Sequence, residues 1–264
     1  MLTLHTFSLE EYRALLGCVC EERACLRFGD LAVPAGEGAR LRDGGDAPER
    51  FVILRHDVDF SPDCALRLAE QEAELGPRAT YFFLLTSEFY NLLSPLHRHV
   101  PRRLAELGHE VGLHYDVPVL ARDASPREAL RRQMGLLAEL SGAEVRSMAM
   151  HNPGWNGADP FRDDGEIVNA YDPAFTKDIA YYSDSCGAWR DAAYEALTSG
   201  DIPPRLQLLI HPVYWGDGVG DRRTRLAEWA EKNGHYVANF LRDLEKHWPT
   251  HTGVAEHDRR MGNT

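Results

Sequence analysis

Phe51-Val52-Ile53-Leu54-Arg55-His56-Asp57-Val58-Asp59 is an apolar run that ends abruptly in acid. Its apolar start carries two β-branched residues and follows a Gly-, Asp- and Pro-rich segment, which predicts a buried strand of a parallel sheet. Side chains on a strand alternate between faces, so Asp57 and Asp59 are expected on the same side. Two close carboxylates repel unless a cation or a proton lies between them, and that is how a metal ligand and a base are paired. The plainer alternative is helix capping, by Asp59 or by Ser61 ahead of Pro62, and a capping aspartate needs no metal.

Working outward, the sequence settles into a strand-helix rhythm. Ser61-Pro62 opens a helix with Ala65, Leu68, Ala69 and Glu72 at helical spacing, and Gly76 closes it. Further strands are expected over 79–85, 110–115, 145–150, 178–183 and 206–210, with helices around 102–107 and from the Ser125-Pro126-Arg127-Glu128 capping box onward. Polar residues recur just where these strands end: Asp57 and Asp59, His114, His151, Asp184 and His211. In a (β/α) barrel the carboxyl ends of the strands share one mouth, so these residues are expected to converge. The fold expected is α/β, a single distorted (β/α)7 barrel. Residues 51–247 form the barrel, 1–50 an extension with a flexible loop at 34–50, and 248–264 a polar tail. Leu226, Trp229, Val237, Phe240 and Leu241 are expected to pack inward in a closing helix.

Composition narrows the partners. With 264 residues and a formal net charge of -12, the chain carries no general basic field for nucleic acid or an anionic membrane. No apolar stretch is long enough to span a bilayer and the first residues do not read as a secretion signal, so a cytoplasmic location is expected. Five cysteines are an odd number for a disulfide framework. Cys18, Cys20 and Cys25 match no standard zinc spacing and are read as buried helix packing.

Aspartate and neutral imidazole suit a divalent ion, zinc first, with cobalt, nickel or iron as alternatives. Three protein ligands with an open position, a second carboxylate as base and a histidine kept cationic by an acid neighbour are the requirements for hydrolysing an amide or ester.

The motifs resemble the polysaccharide deacetylase family, carbohydrate esterase family four, over roughly residues 50–216. His56-Asp57-Val58-Asp59 stands where that family has Thr-Phe-Asp-Asp-Gly. Ala79-Thr80-Tyr81-Phe82-Phe83 is similar to its Ala-Thr-Phe-Phe strand, and Gly108-His109-Glu110-Val111-Gly112-Leu113-His114 to its Gly-His-Glu-Ile-Gly-Asn-His. Asp184-Ser185-Cys186-Gly187-Ala188-Trp189 and Leu208-Leu209-Ile210-His211-Pro212 resemble its last two motifs. The resemblance implies a distorted (β/α)7 barrel that removes acetyl groups, mostly from N-acetylated sugars, with a divalent metal. It assigns Asp57 as base, Asp59 and His114 as metal ligands, His211 as acid and Asp184 as the carboxylate holding His211 protonated; the inserted Val58 leaves an exchange between Asp57 and Asp59 open. The family's second histidine falls on Pro118, so His151 is the expected third ligand, with Asp116 as its rival. The arginine that orients the family's base is replaced, with Arg55 or Arg190 as substitutes. Arg55, Tyr90, Asn152, Trp155 and Trp215 are the expected substrate contacts. The substrate expected is a small, sugar-derived N-acyl compound. A deformylase or amidohydrolase acting on a non-sugar N-acyl compound, and a non-catalytic carbohydrate-binding protein, are the competing readings.

Overall fold

The computed structural model describes residues 2–32, 40–42, 44–156, 159–161 and 167–247. The expected tail at 248–264 and much of the loop at 34–50 lie outside the described residues. The chain divides into two compact units, residues 1–222 and 223–264.

The first unit is built on seven parallel strands: β1 (Phe51–Val58), β2 (Thr80–Leu84), β3 (Glu110–Tyr115), β4 (Ser147–Met150), β5 (Val168–Asn169), β6 (Ala180–Ser183) and β7 (Arg205–Ile210). They pair in the order β5-β4-β3-β2-β1-β7-β6, so the path runs in chain order one way from β1 and returns through β7 and β6 on its other side. This is a distorted (β/α)7 barrel, open between β5 and β6. Helix α1 (Leu9–Cys20) precedes the barrel. Helices α2 (Pro62–Leu75), α3 (Val100–Glu106), α4 (Pro126–Ser141) and α5 (Asp191–Ser199) carry the chain between strands. The short strand Ala24–Leu26 pairs in parallel with Phe51–Ile53, beside the part of β1 that β2 does not cover.

Every residue of β1 is buried. Its pleat separates two environments. Phe51 and Ile53 point into the barrel, where they join Phe28, Phe82, Ala149 and Phe175 in a packed apolar core. Phe28 closes the lower end, its ring 5.6 Å from Phe82 and 5.1 Å from Phe175. His56, one position out of phase with Arg55, faces the helix layer and stacks on Tyr81 at 4.2 Å. Buried Glu72 of α2 meets it at 2.7 Å and also takes hydrogen bonds from Tyr81 at 2.7 Å and from Tyr12.

The capping alternative is resolved at α2: Ser61 accepts the Cys64 N–H at 3.2 Å, Pro62 occupies the first turn, and Asp59 plays no capping part. The second unit contains most of α6 (Arg222–His247). Val237, Phe240 and Leu241 are exposed there, contrary to the expectation of inward packing. No described helix is long and apolar enough to cross a membrane.

Candidate metal centre

Strand register brings the ends of the strands to one level. Val58 pairs with Phe83, Leu84 with His114 and His114 with Ala149, so Asp59 after β1, His114 near the end of β3 and His151 after β4 lie at neighbouring heights, with β2 between the first two. On the other side of β1, His56 pairs with Ile210, which puts His211 beside Asp57. Leu209 pairs with Ser183, so Asp184 follows next to His211.

Three side chains then converge. Asp59 Oδ1 lies 3.3 Å from His114 Nε2 and 3.5 Å from His151 Nδ1, and the two nitrogens are 3.1 Å apart. Bonds of about 2.0–2.1 Å in a tetrahedral site separate neighbouring ligand atoms by about 3.3–3.4 Å, so this triangle has the right edge for one divalent ion. Two further observations fit. Asp59 Oδ1 is buried with no hydrogen-bond partner. His114 Nδ1 lies 2.8 Å from the Ala149 carbonyl, which can only accept, so the proton is on Nδ1 and the Nε2 lone pair faces the triangle. His151 Nε2 lies 2.8 Å from the side-chain amide nitrogen of Asn152, which holds the ring in place; the amide turned to present its oxygen there would put the ring proton on Nε2 and leave Nδ1 free toward the triangle. Among the described residues this is the group whose ligand atoms cluster closely enough for a metal. Asp116, the rival ligand, is half-buried at the start of the short helix Val117–Leu120 and lies outside the cluster.

Asp57 sits behind the triangle with a different partner. Arg55, fully buried, grips it with Nε to Oδ1 and Nη2 to Oδ2, both at 2.8 Å. The guanidinium is itself fixed by Gln207 Oε1 at 3.2 Å and Tyr171 Oη at 3.0 Å, and lies over the Tyr171 ring at 4.4 Å. Burial alone would raise the Asp57 pKa, but the Arg55 charge and, behind it, His114 and His211 hold its carboxyl below the usual range. Burial works against Asp59 too, yet the His114 and His151 imidazoles hold it well below. Both oxygens of Asp57 are thus held by an arginine, whereas Asp59 presents an oxygen without a hydrogen-bond partner.

His211 is held on the opposite side. Its Nδ1 is 2.7 Å from Asp184 Oδ1, and its backbone N–H donates to the same carboxylate at 3.0 and 3.1 Å. Burial would lower its pKa, but the bond to Asp184 outweighs this and pushes it up to about 9. Its Nε2 faces Asp59 Oδ2 at 3.9 Å. His151 is likewise raised, against burial, by Asp59 beside it.

The structure places the other expected contacts differently. Arg55 is enclosed and holds Asp57, so it does not line a substrate surface; Arg190 is exposed at the head of α5. Trp215 is 1 % exposed and its indole N–H donates to Asp184 Oδ2 at 2.9 Å, supporting His211. The Tyr90 hydroxyl donates to the Val58 carbonyl at 2.7 Å and accepts the Leu84 N–H at 2.8 Å, bracing the ends of β1 and β2. Asn152, at φ 47°, serves His151. Trp155 is the large side chain of this set that is open to solvent, 88 % exposed, and Asn152 beside it is exposed as well. Tyr171 and Gln207 were not foreseen. Tyr171 follows a two-residue strand too short to show alternation, and Gln207 is a polar residue at an apolar position of β7, a signal the sequence did carry.

A carboxylate and two imidazoles thus converge within ligand spacing of one another at the mouth of an open parallel barrel, with the arginine-gripped Asp57 on one side and His211, held by Asp184, on the other. No family model and no curated protein matches this sequence. Among solved structures, the peptidoglycan deacetylase PdaC from Bacillus subtilis aligns with 76 % of this chain and 98 % of its own at 16 % identity, TM-score 0.44. The chitin deacetylase from the fungal pathogen Colletotrichum lindemuthianum aligns with 69 % of this chain and 82 % of its own at 17 % identity, TM-score 0.42. A CE4 family pseudoenzyme mutant with restored enzymatic activity aligns with 70 % of this chain and 64 % of its own at 13 % identity, TM-score 0.41. At this level of likeness the chemistry of the chain rests on its own residues.

Proposed function

We propose that this protein is a metal-dependent hydrolase that removes an acyl group, N-acetyl first among them, from a sugar-derived amide. The observation that carries the reading is the unpaired, buried Asp59 Oδ1 set in a triangle with two imidazole nitrogens. Asp59, His114 and His151 would hold the ion, zinc by the donor set. When bound, it supplies a positive charge that polarises a carbonyl and makes a water acidic. Asp57, kept ionised by Arg55, takes the proton from the attacking water. Its fixed fork geometry keeps one carboxylate orientation through that transfer. His211, kept protonated by Asp184, delivers a proton to the departing amine nitrogen. Asp184 is in turn oriented by the Trp215 indole. Trp155 offers a flat exposed face beside His151 on which a sugar ring can stack.

Elemental analysis of the purified protein tests the reading directly. About one divalent ion per chain is expected, lost in His151→Ala and retained in Asp116→Ala. Failure of the wild type to take up zinc, cobalt, nickel or iron would refute it. A screen of N-acetylated sugars and simple N-formyl and N-acyl amides, read as released acid, then separates the sugar substrate from a deformylase or amidohydrolase substrate.

A further inference from the structure

The buried tyrosines are Tyr12, Tyr81, Tyr115 and Tyr214. Tyr12 and Tyr81 donate to Glu72, and the Tyr115 hydroxyl accepts from the Asn169 side-chain amide at 3.4 Å. Tyr214 is the exception. It is 8 % exposed, and among the described residues its hydroxyl has no hydrogen-bond partner. That oxygen is not sealed from solvent either. A tyrosine that buries its ring ordinarily finds a partner for its oxygen inside the protein. Here the ring is enclosed and the donor is left for something outside the chain.

The fold holds this side chain beside the acid of the proposed reaction. His211 directly follows β7, and Pro212–Tyr214 make one tight turn in which the Tyr214 N–H donates to the His211 carbonyl at 3.1 Å. The two rings lie 5.8 Å apart, tilted by 47°. Phe7 packs edge-on against Tyr214 at 6.4 Å and against Trp215 at 5.1 Å. Asp184 grips His211 and Trp215, on either side of Tyr214 in the turn, so the phenol sits in a frame fixed at both ends. Burial first, and then the Asp184 carboxylate, push the Tyr214 hydroxyl up to about 12, so at neutral pH it keeps its proton and can donate.

We propose that Tyr214 is a specificity-determining substrate contact, its hydroxyl donating to an oxygen on the carbon next to the one that carries the departing nitrogen. The placement of that oxygen rests on the reading of His211 as the group that protonates the amine; the donor itself does not. His211 and Tyr214 each reach a substrate atom at a hydrogen-bond distance of about 2.7–3.2 Å. Two neighbouring rings that do so hold neighbouring atoms of one small skeleton. The pair therefore selects a vicinal amido alcohol, the arrangement that an N-acylated amino sugar offers, over a plain alkyl amide.

The test pairs the enzyme's oxygen with the substrate's: trans-2-acetamidocyclohexanol and N-cyclohexylacetamide differ by one hydroxyl, as wild type and Tyr214→Phe do. With zinc-loaded wild type, kcat/KM for acetate release is expected to be about tenfold higher for the amido alcohol. Tyr214→Phe is expected to lose that advantage, and to match wild type on the plain amide within about twofold. A second arm needs no turnover. In chelator, ligand-observed NMR titration is expected to show tighter binding of the amido alcohol by wild type and no preference in Tyr214→Phe. The variant is expected to unfold at the wild-type temperature, since the oxygen it lacks has no partner in the chain. Equal losses for both compounds in Tyr214→Phe, or a wild type that distinguishes them in neither arm, would overturn the inference and leave the hydrolase reading standing. Zinc-loaded wild type that hydrolyses neither compound would count against the hydrolase reading, and the binding arm would then decide the Tyr214 contact by itself.

Discussion

Replacing Arg55 by Met should expose how strongly the barrel interior depends on one ion pair. Both members are buried, and the guanidinium is the group that makes Asp57 tolerable there. Breaking one side of such a pair leaves a charge without compensation and costs about 3–5 kcal/mol. The His114 imidazole nitrogen, 3.7 Å from Asp57 Oδ2, does not replace two hydrogen bonds of 2.8 Å. The sign of the pH dependence follows. In the wild type the folded-state carboxyl is depressed, so the pair contributes stability above the unfolded value of about 4 and loses it as the pH falls through the folded value. Without Arg55 the burial effect that raises the Asp57 pKa meets less opposition. The variant's deficit is then largest at pH 7–8 and shrinks toward pH 4.5. Urea unfolding in chelator, which removes any stabilisation by bound metal, reads this at three pH values. Asp57→Asn alone and the double variant complete the cycle, and a coupling of about 2–4 kcal/mol is expected. Additivity within about 0.5 kcal/mol, or a deficit flat with pH, would refute the account of Arg55 as the group holding Asp57 ionised.

Three more outcomes are expected. His211→Gln should lower kcat by about 10²–10⁴ with little change in KM; in the wild type, where the folded value is raised to about 9, activity should fall as the pH rises through that value because the acid form disappears. Glu72 takes hydrogen bonds from Tyr12 and Tyr81 and meets His56, and its carboxyl is held below its usual value, against burial, by His56. Glu72→Leu should therefore destabilise by about 3 kcal/mol at neutral pH in thermal or urea unfolding, and by less as the pH falls below about 4. Trp155→Ala, removing a side chain that is 88 % exposed, should change stability by less than about 0.5 kcal/mol while raising KM for a sugar substrate several-fold.

What the sequence disclosed and what it hid follow from the physics of strands. Apolar runs with period-two or continuous burial marked six of the seven barrel strands, five of them ended by His or Asp, and the order of those polar ends carried Asp59, His114, His151 and His211 to one mouth. Val168–Asn169 escaped because two residues carry no periodicity. With it went Tyr171, whose hydroxyl and ring hold Arg55 only because the chain returns to the open edge of the barrel there. Trp215 and Arg55 were visible as residue types but not in role, since an indole or a guanidinium reads alike whether it faces a ligand or a carboxylate. The pleat of β1 settles the matter for Arg55. Arg55 and Asp57 are two apart, so they share the inner face and must meet, while His56 between them turns outward to Glu72. One alternating run thus builds the Arg55–Asp57 pair on one face and the anchor to α2 on the other. That alternation gives a sharp expectation: a one-residue insertion within Leu54–Val58 would exchange the two faces and abolish both the metal triangle and the Glu72 cluster together, whereas an insertion in the residues after Ser61 would spare the triangle.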